Sequence, residues 1–332
     1  MLYVKPDFYD DFVCKAGECS DTCCAGWEIT VDDKSMLYYT SEECPISAEI
    51  AAGTQINDDG ETVFKLKDKE RCFFLCDDGL CRIYSECGKD ALCDICSEHP
   101  RFYNIYEDSE ESGLGLCCER VCEMLFDESY SLGFDVQGSC DDADYSYLFN
   151  VRQACYSVIY CNSDFSAGIR DMLLLVYDAS EFSDTELKLR QDFGTEKLFS
   201  EILGIFSKTE PVNDEWTQLI AQLRVHLNEI CSISGSNPFN EEDYRKLLLY
   251  LIYRHLIESA YTSDLLYGVC FAVAGVIFVH MCNCLSYLQK KSLNKADIIC
   301  NTKMFSKQIE YSAENTELVM NSSVGILFDK VG

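Results

Sequence analysis

The feature of this sequence that most constrains its fold is the crowding of cysteine at one end of the chain. Fourteen of the 22 cysteines fall within residues 1–122. A density this high indicates disulfides in a small secreted chain, and metal or cluster ligation in an intracellular one. The first ten residues show no basic segment followed by an apolar one, as a secretory signal would require. We therefore expect a cytoplasmic protein whose reduced cysteines bind a metal.

The front cysteines form four groups that are close in sequence, and such spacings bring thiolates together at little cost in chain entropy. A zinc ribbon needs two C-x-x-C knuckles, and the chain has one, at Cys93 and Cys96. Iron–sulfur clusters accept irregular spacings, because one ligand can come from far along the chain. We therefore expect an iron–sulfur cluster, with zinc as the alternative. The groups are Cys14, Cys19, Cys23 and Cys24; Cys72 and Cys81, with Cys76 between them; Cys93 and Cys96; and Cys117, Cys118 and Cys122.

The cysteines outside these groups have a simpler interpretation. Seven of them are scattered after residue 150, and we expect them to fill the core as small apolar side chains. Adjacent cysteines, such as Cys23 and Cys24, rarely both bind one ion. We therefore expect four or more ligands among the first three groups and Cys117. The seven scattered cysteines are Cys155, Cys161, Cys231, Cys270, Cys282, Cys284 and Cys300.

The charge balance narrows the class of partner. Acidic residues outnumber basic ones by 57 to 27, and the formal net charge is −30. A surface with this charge repels phosphate backbones and anionic lipid head groups, so we expect no nucleic-acid and no membrane partner. It attracts cationic partners, including lysine-rich protein surfaces, although an acidic surface also serves solubility alone.

Residue patterning predicts a mainly α fold with an N-terminal cysteine-rich unit that contains short β-hairpins. The unit covers residues 1–126, an acidic connector follows at 127–147, and a helical domain covers 148–332. Alternating residues predict strands at 28–31 and 62–66, and an Asp-Gly turn predicts a hairpin between 72–75 and 80–84. Asn240 and Ser183, the latter with Glu186 three residues later, are predicted N-caps. Apolar spacing predicts helices at residues 149–160, 169–177, 198–206, 216–230, 241–261, 265–288 and 295–320.

One segment requires a decision about membranes. Residues 265–282 are mostly apolar and free of charges over 18 residues, the lower limit for a bilayer span. They lack a basic flank, so we interpret them as the central helix of an α-helical bundle. The sequence also lacks the C-x3-C-x2-C run of radical S-adenosylmethionine enzymes, a glycine-rich dinucleotide turn, a P-loop and a G-x-S-x-G elbow.

Six segments resemble motifs of the flagellin lysine-N-methylase (FliB-like) family, whose front part is similar to small cysteine-cluster proteins of the YkgJ type. The most specific helical segment is the last, because it consists of polar residues rather than a hydrophobic pattern. Cys118 stands where the family has proline, and Cys76 and Cys87 fall outside the expected ligand positions. The segments are Cys19-Ser-Asp-Thr-Cys-Cys-Ala-Gly-Trp27, the stretch from Cys72 to Tyr84, Leu92 to Arg101, Leu114 to Glu119, Leu248 to His255, and Phe305 to Asn315.

The resemblance implies a cytoplasmic enzyme that binds a [4Fe–4S] cluster and transfers a methyl group from S-adenosylmethionine to lysine ε-amines of flagellin. Amine methylation is a polar displacement, so it needs no radical machinery. The departures noted above leave Cys76, Cys87 and Cys118 out of the ligand set. The expected ligands are Cys14, Cys19, Cys23, Cys24, Cys72, Cys81, Cys93, Cys96 and Cys117.

Six further residues are candidates for the methyl-transfer site. Glu310, Tyr311 and Glu314 fall on one predicted helix, with 310 and 314 on the same face, where acidic and aromatic groups favour a cationic sulfonium and can accept a proton. The alternative for them is an exposed polar face. Arg101 and Arg254 are candidates to bind a carboxylate of the methyl donor, or they pair with structural acidic residues. Trp27, beside the cysteines, is expected to cover the cluster.

Two other functions use the same cysteines. One is a non-enzymatic protein in which zinc or an iron–sulfur cluster cross-links an interaction surface. The other is an electron-transfer oxidoreductase whose cluster is reversibly reduced.

Overall fold

The computed structural model describes residues 1–180, 186–235, 239–257 and 265–330. The fold is mainly α, as predicted, and short strands and helices make up its front unit. The front helices are α1 (Asp33–Tyr39), α2 (Ser47–Gly53), α3 (Arg82–Cys87), α4 (Asp94–Glu98) and α5 (Glu119–Leu125). The front strands are β1 (Leu2–Pro6), β2 (Thr54–Ile56), β3 (Thr62–Phe64), β4 (Leu66–Lys67), β5 (Arg71–Cys72), β6 (Arg101–Tyr106) and β7 (Ser109–Leu114).

The rest of the chain is dominated by longer helices. Asn240 is the N-cap of its helix, as predicted, and accepts a hydrogen bond from the backbone N–H of Glu242. The predicted cap at Ser183 lies outside the described residues. The helices are α6 (Ala143–Cys161), α7 (Phe165–Ala179), α8 (Glu196–Phe206), α9 (Asp214–Val225), α10 (Leu227–Ile233), α11 (Glu241–His255), α12 (Leu265–Lys290), α13 (Lys295–Ile309) and α14 (Ala313–Leu327). Three strands accompany them, β8 (Phe134–Gly138), β9 (Leu187–Leu189) and β10 (Phe328–Lys330).

A four-stranded sheet that the sequence patterns did not predict joins the front unit to the helices. Its strand order is β6-β7-β1-β8, with β1 parallel to β7 and antiparallel to β8. The segment interpreted as a connector supplies β8, in which Val136 pairs with Val4. The ammonium group of Lys246 also donates to the carbonyls of Asp127 and Tyr130, both at 2.6 Å. Residues 127–147 are therefore an integral part of the fold.

A buried ion pair ties this sheet to α6. Arg152 donates two hydrogen bonds to the carboxylate of Glu111, at 2.7 and 2.5 Å, and Tyr145 donates a third at 2.5 Å. The Arg152 and Glu111 side chains are almost completely buried, so their charges have no access to water. A paired, hydrogen-bonded arrangement is the way in which such charges are tolerated in an interior.

The apolar segment at 265–282 belongs to α12, which is long and apolar enough to cross a membrane. It instead packs inside the protein, where 83% of its most apolar 18-residue window is buried. It contacts α7, α8, α11, α13 and α14. This is the central position predicted for a core helix.

The structure corrects two of the predicted strand regions. Residues 28–31 lie alongside β3, where Phe64 N–H donates to the carbonyl of Ile29, but the pairing reduces to one isolated bridge at Thr30. The turn after Cys76 forms as expected, since the Cys76 N–H donates to the Leu80 carbonyl at 2.9 Å. The prediction of a strand at residues 80–84 is wrong, because α3 begins at Arg82. This short helix buries the side chain of Ile83, and the other residues of α3 are not buried.

Two segments that were each predicted as a single helix form a pair of helices in the structure. The segment 216–230 divides between α9 and α10, with His226 between them. The segment 295–320 divides between α13 and α14. Glu310 is the C-cap of α13. Ser312 is the N-cap of α14, and its hydroxyl accepts a hydrogen bond from the Asn315 N–H. The prediction that Glu310, Tyr311 and Glu314 share one helix is therefore wrong.

Candidate functional site

Several of the predicted residues meet where the front unit contacts the helical domain. The ring of Trp27 stacks on the ring of Tyr311, with centroids 5.6 Å apart and planes inclined by 24°. The centroid of the His99 imidazole lies 5.8 Å from that of the Trp27 ring, and the two planes are inclined by 47°. Trp27 is half-buried and Tyr311 remains 39% exposed. We call Trp27, His99, Tyr311 and the adjacent Arg254 the aromatic site.

Local backbone features bring Trp27 and Tyr311 together. Trp27 follows Gly26, whose φ of +91° is in the region that favours glycine, and Cys72 N–H donates to the Cys24 carbonyl just before it. Tyr311 lies in the turn between α13 and α14, outside both helices. A side chain at Gly115 would collide with the Tyr311 hydroxyl, so glycine is required there for the close approach.

Arg254 packs against the ring of Tyr311. Its guanidinium lies 5.0 Å from the Tyr311 ring centroid and 4.6 Å from that of Phe102. It donates to the Tyr250 hydroxyl at 3.1 Å and to the Glu310 carbonyl at 3.4 Å. These partners already occupy the guanidinium, whose side chain is 11% exposed. The observed geometry therefore fits a residue that orients Tyr311 more closely than one that binds a ligand carboxylate.

Glu310 is enclosed beneath Arg254. Its side chain is fully buried, and one carboxylate oxygen lies 3.4 Å from Arg254 Nε and 2.8 Å from His255 Nε2. Burial raises its pKa, but Arg254 and His255 outweigh burial and lower the pKa below the ordinary value. An ionised, enclosed carboxylate of lowered pKa is a weak base toward a substrate. Glu310 therefore counterbalances Arg254.

Three titratable groups of the site, His99, Cys117 and Tyr311, are neutral near pH 7. Burial lowers the pKa of His99 to about 4 and raises the pKa of the Cys117 thiol to about 12. Burial and the nearby Cys117 also raise the pKa of Tyr311. The Cys117 sulfur lies 3.9 Å from His99 Nε2, so this predicted metal ligand belongs to the aromatic site. The site thus combines a neutral aromatic wall with one enclosed cation.

The structure places two predicted site residues elsewhere. Arg101 begins β6, and its guanidinium lies 5.8 and 5.5 Å from the rings of Tyr9 and Phe12. Since neighbouring residues of a strand point to opposite faces, it faces away from Phe102 and Arg254. Glu314 is exposed in the first turn of α14, where it accepts a 3.4 Å hydrogen bond from Ser312.

Most predicted metal ligands lie in or against the hydrophobic core of the front unit, and they form what we call the inner thiol group. Cys72 and Cys93 are part of that core, and three further predicted ligands, Cys24, Cys81 and Cys96, pack against it. Burial raises the pKa of Cys72 to about 11, and the thiols of Cys24 and Cys81 are near enough to add to this shift. A hydrogen bond between the Cys93 and Cys96 thiols lowers the pKa of Cys93. The inner thiol group consists of Cys24, Cys72, Cys81, Cys93 and Cys96.

The inner thiol group consists of soft ligands, which zinc ions and iron–sulfur clusters both bind. Four thiolates on one zinc ion at about 2.3 Å would lie within about 4 Å of one another. In the part of the chain that the structure describes, no three His, Cys, Asp or Glu side chains converge closely enough to hold a single ion. All 22 cysteines are free thiols, none joined in a disulfide. A cluster spreads its four thiolates over different iron atoms and so accepts wider spacing.

The three remaining predicted ligands lie apart from the inner thiol group. Cys14, Cys19 and Cys23 lie in the loop before Trp27. This loop approaches Cys118, a residue left out of the predicted set, because the Ser20 N–H donates to the neighbouring Glu119 at 3.1 Å. His99, Phe102 and Lys307 were also missed, although His99 precedes the Pro-Arg pair of a motif that drew attention to Arg101. Lys307 lies with its ammonium group 5.6 Å from the Trp27 ring centroid.

Comparison with curated proteins identifies relatives over about half of the chain. Lysine-N-methylases of Salmonella choleraesuis (strain SC-B67) and Salmonella typhimurium (strain LT2) are each 27% identical over 198 residues. This alignment covers 55% of the present chain and 49% of each relative, so it spans about half the length of those lysine-N-methylases. The flagellar biosynthetic protein FliU of Salmonella muenchen is 27% identical over 165 residues, which are 48% of this chain and 98% of FliU.

These matches confirm the resemblance to the lysine-N-methylase family expected from the sequence. The likeness of the front unit to YkgJ-type proteins stays a prediction. No family model matches the chain, and no solved structure matches it.

Proposed function

We propose that this protein is a protein-lysine N-methyltransferase that uses S-adenosylmethionine as the methyl donor. The observation that carries the proposal is its similarity over 198 residues to proteins named lysine-N-methylase. The match to a flagellar biosynthetic protein supports flagellin as the protein substrate. The net charge of −30 is consistent with a substrate that presents lysine-rich surface, because opposite charges steer encounter.

The inner thiol group would hold a [4Fe–4S] cluster. It offers five soft ligands for the four positions that such a cluster fills, and burial of Cys72 and Cys93 excludes water from that side. When bound, the cluster would supply metal–thiolate bonds that join the chain segments carrying Cys24, Cys72, Cys81 and Cys96. Trp27 follows directly after this ligand region and packs against the same core.

The aromatic site is our candidate for the methyl donor. A sulfonium is a cation, and the face of a tryptophan or tyrosine ring attracts cations. The Lys307 ammonium group, 5.6 Å from the Trp27 ring centroid, is paired with Asp21 at 2.6 Å and donates to the Thr22 carbonyl at 3.3 Å. Arg254 and Glu310 act as positioning residues that hold Tyr311 against Trp27.

The reaction is a displacement at carbon in which atoms and charge balance. The lysine ε-amine first loses a proton to water, and its nitrogen then forms a bond to the methyl carbon as the sulfonium–carbon bond breaks. The donor leaves as a neutral thioether, and the product ammonium can lose a proton before another transfer. A lysine side chain beside the neutral walls of Trp27, His99 and Tyr311 is partly desolvated, and desolvation lowers its pKa.

Calorimetry with S-adenosylmethionine tests the donor site. Wild-type protein reconstituted with iron and sulfide is expected to bind the donor, and Trp27→Ala is expected to weaken binding at least about tenfold through loss of the aromatic face. Arg101→Ala is the matched control, since that residue faces away from the site, and its affinity should equal that of wild type. Absence of binding by the reconstituted wild type would contradict the proposal, and equal affinity in all three would remove Trp27 from the site.

A further inference from the structure

The connection between α8 and α9 runs beside the aromatic site. We call its residues 209–213 the α8–α9 loop. Its Val212 is half-buried, and a Cβ atom at Gly26, the residue before Trp27, would lie 3.7 Å from Val212 Cγ1. The neighbouring Glu210 and Pro211 are exposed. The loop therefore borders the segment that carries Trp27 and reaches solvent next to it.

Two buried amide side chains hold the middle of this loop. Gln308 lies near the end of α13 and Asn315 in the first turn of α14, so they flank Tyr311 in the sequence. The Glu210 N–H donates to Asn315 Oδ1 at 2.8 Å, and the Val212 N–H donates to Gln308 Oε1 at 2.9 Å. Both amides donate in return to the Glu210 carbonyl. The loop is therefore tied to the turn that carries Tyr311.

These hydrogen bonds use every polar atom of the two amides and recognise only the main chain of the loop. Gln308 and Asn315 are each 2% exposed, and Asn315 Nδ2 also donates to the Gln308 carbonyl at 2.9 Å. A buried polar network that is fully satisfied specifies one arrangement, and a partner left unpaired is costly. The network therefore fixes the path of the loop and leaves the loop side chains to make other contacts.

The two ends of the loop are held by other residues. The Thr209 hydroxyl donates to the Phe206 carbonyl at 2.8 Å and accepts from Trp216 Nε1 at 3.0 Å. Asn213 is the N-cap of α9 and accepts from the Trp216 N–H at 3.1 Å. Since these contacts anchor the ends, the two amides act on the middle of the loop, where Val212 lies.

The same polar segment of α13 and α14 also fixes other parts of the chain around the site. Lys307 donates to the carbonyl of Thr22, in the front loop that leads to Trp27, at 3.3 Å. The Glu310 carbonyl accepts from Arg254 of α11 at 3.4 Å. One turn thus holds the front loop, the α8–α9 loop and α11 in place.

We propose that the α8–α9 loop is a wall of the donor site, in which Val212 contacts the bound methyl donor and Gln308 and Asn315 are positioning residues. This inference rests on the proposed function, because its ligand is S-adenosylmethionine at the aromatic site. An aliphatic side chain next to the segment of Trp27 contacts apolar carbon atoms of the donor, while the aromatic faces attract its charge.

Calorimetry with S-adenosylmethionine on the whole chain, reconstituted with iron and sulfide, tests the wall. Val212→Ala should weaken donor binding about fivefold through loss of apolar contact. Gln308→Met keeps the size of the side chain and removes its bonds to the loop, so it should weaken binding at least about fivefold. Asn301→Leu is the matched control and should bind like wild type. Asn301 is a buried amide on the same helix, and it donates to Asn283 and Ser286 of α12 at 2.8 and 3.1 Å.

Hydrogen exchange and stability separate positioning from folding. Gln308→Met and Asn301→Leu should both lower the free energy of unfolding, but only Gln308→Met should speed exchange of the Val212 amide, about fivefold. Unchanged donor affinity in Val212→Ala or Gln308→Met overturns the wall, while binding by wild type that Trp27→Ala weakens still supports the donor site. Equal weakening in Asn301→Leu overturns the positioning role. A reconstituted wild type that does not bind the donor overturns the proposed donor site and the wall with it.

Discussion

Replacing Glu119 with glutamine tests how firmly the front loop is held to the helical domain. Although burial raises the pKa of Glu119, its bonds to Lys15 and Ser20 lower it from 4.5 to about 2. At about 1.4 kcal/mol per unit of pKa, this shift corresponds to an upper limit of about 3.5 kcal/mol. The Lys15 side chain is 19% exposed, and screening by solvent weakens an ion pair near the surface such as that between Lys15 and Glu119. We therefore expect Glu119→Gln to lower the free energy of unfolding by about 1.5 kcal/mol at pH 7.

The pH dependence gives this prediction its sign. Since folding lowers the pKa of Glu119, its contribution is fully present above 4.5 and is lost as the pH falls toward 2. At pH 3 about two fifths of the contribution should remain, so the difference between wild type and variant should shrink accordingly. Urea denaturation at pH 7 and pH 3 measures both values.

A neighbouring carboxylate supplies the control. Glu123 on the same helix binds Lys15 and Arg120 but contacts neither Ser20 nor α13, and its side chain is 32% exposed. Glu123→Gln should therefore change the free energy of unfolding by at most about 0.5 kcal/mol. Equal stability of wild type and Glu119→Gln at pH 7, or a difference that does not change with pH, would refute the reasoning.

Two other substitutions test the ligand role of Cys96 and the positioning role of Glu310. Cys96→Ala should abolish the iron–sulfur absorbance of the inner thiol group, because the cluster loses a ligand and the fold loses metal-binding energy. Cys282→Ala, inside α12, should keep that absorbance. Anaerobic absorbance spectra measure both, and equal loss in the two variants would contradict the ligand assignment. Glu310→Ala leaves the Arg254 charge buried without its counterion and should cost about 3–5 kcal/mol of folding free energy, as measured by urea denaturation. A loss under about 1 kcal/mol would show that Arg254 finds another partner.

The sequence predicted the helical part of the fold well because burial there follows one periodic pattern. The helix α12 is apolar around its whole surface and was recognised as central for that reason. The break between α13 and α14 was missed, since Glu310 to Ser312 interrupts no hydrophobic pattern and contains neither glycine nor proline. Only the cap at Ser312 marks it, and a serine within a polar helical pattern is weak evidence for a boundary.

The four-stranded sheet was missed for a different reason. Its strands come from residues 2–6, 101–114 and 134–138, and β7 reads Ser-Glu-Glu-Ser-Gly-Leu, which has no strand-like alternation of apolar residues. Glu111 is buried there because Arg152, a residue 41 positions away, neutralises it. Pairings over such distances cannot be read from local patterns.

The candidate site was predictable in its residue types and only partly in its arrangement. The motifs drew attention to Trp27, Arg254 and Tyr311, which the fold brings together, and to Arg101 and Glu314, which it does not. Cysteine spacing gave the ligand candidates but could not divide them into two groups. That division depends on contacts of Glu119 with residues about 100 positions earlier.

Intact-mass analysis of flagellin tests the central claim most directly. Purified flagellin is incubated anaerobically with reconstituted protein and S-adenosylmethionine, and peptide mapping then locates any added methyl groups. The account predicts mass increases in whole methyl steps, confined to lysine side chains, that disappear with Cys96→Ala and when the donor is omitted. An unchanged flagellin mass with protein that carries its iron and binds the donor would contradict it.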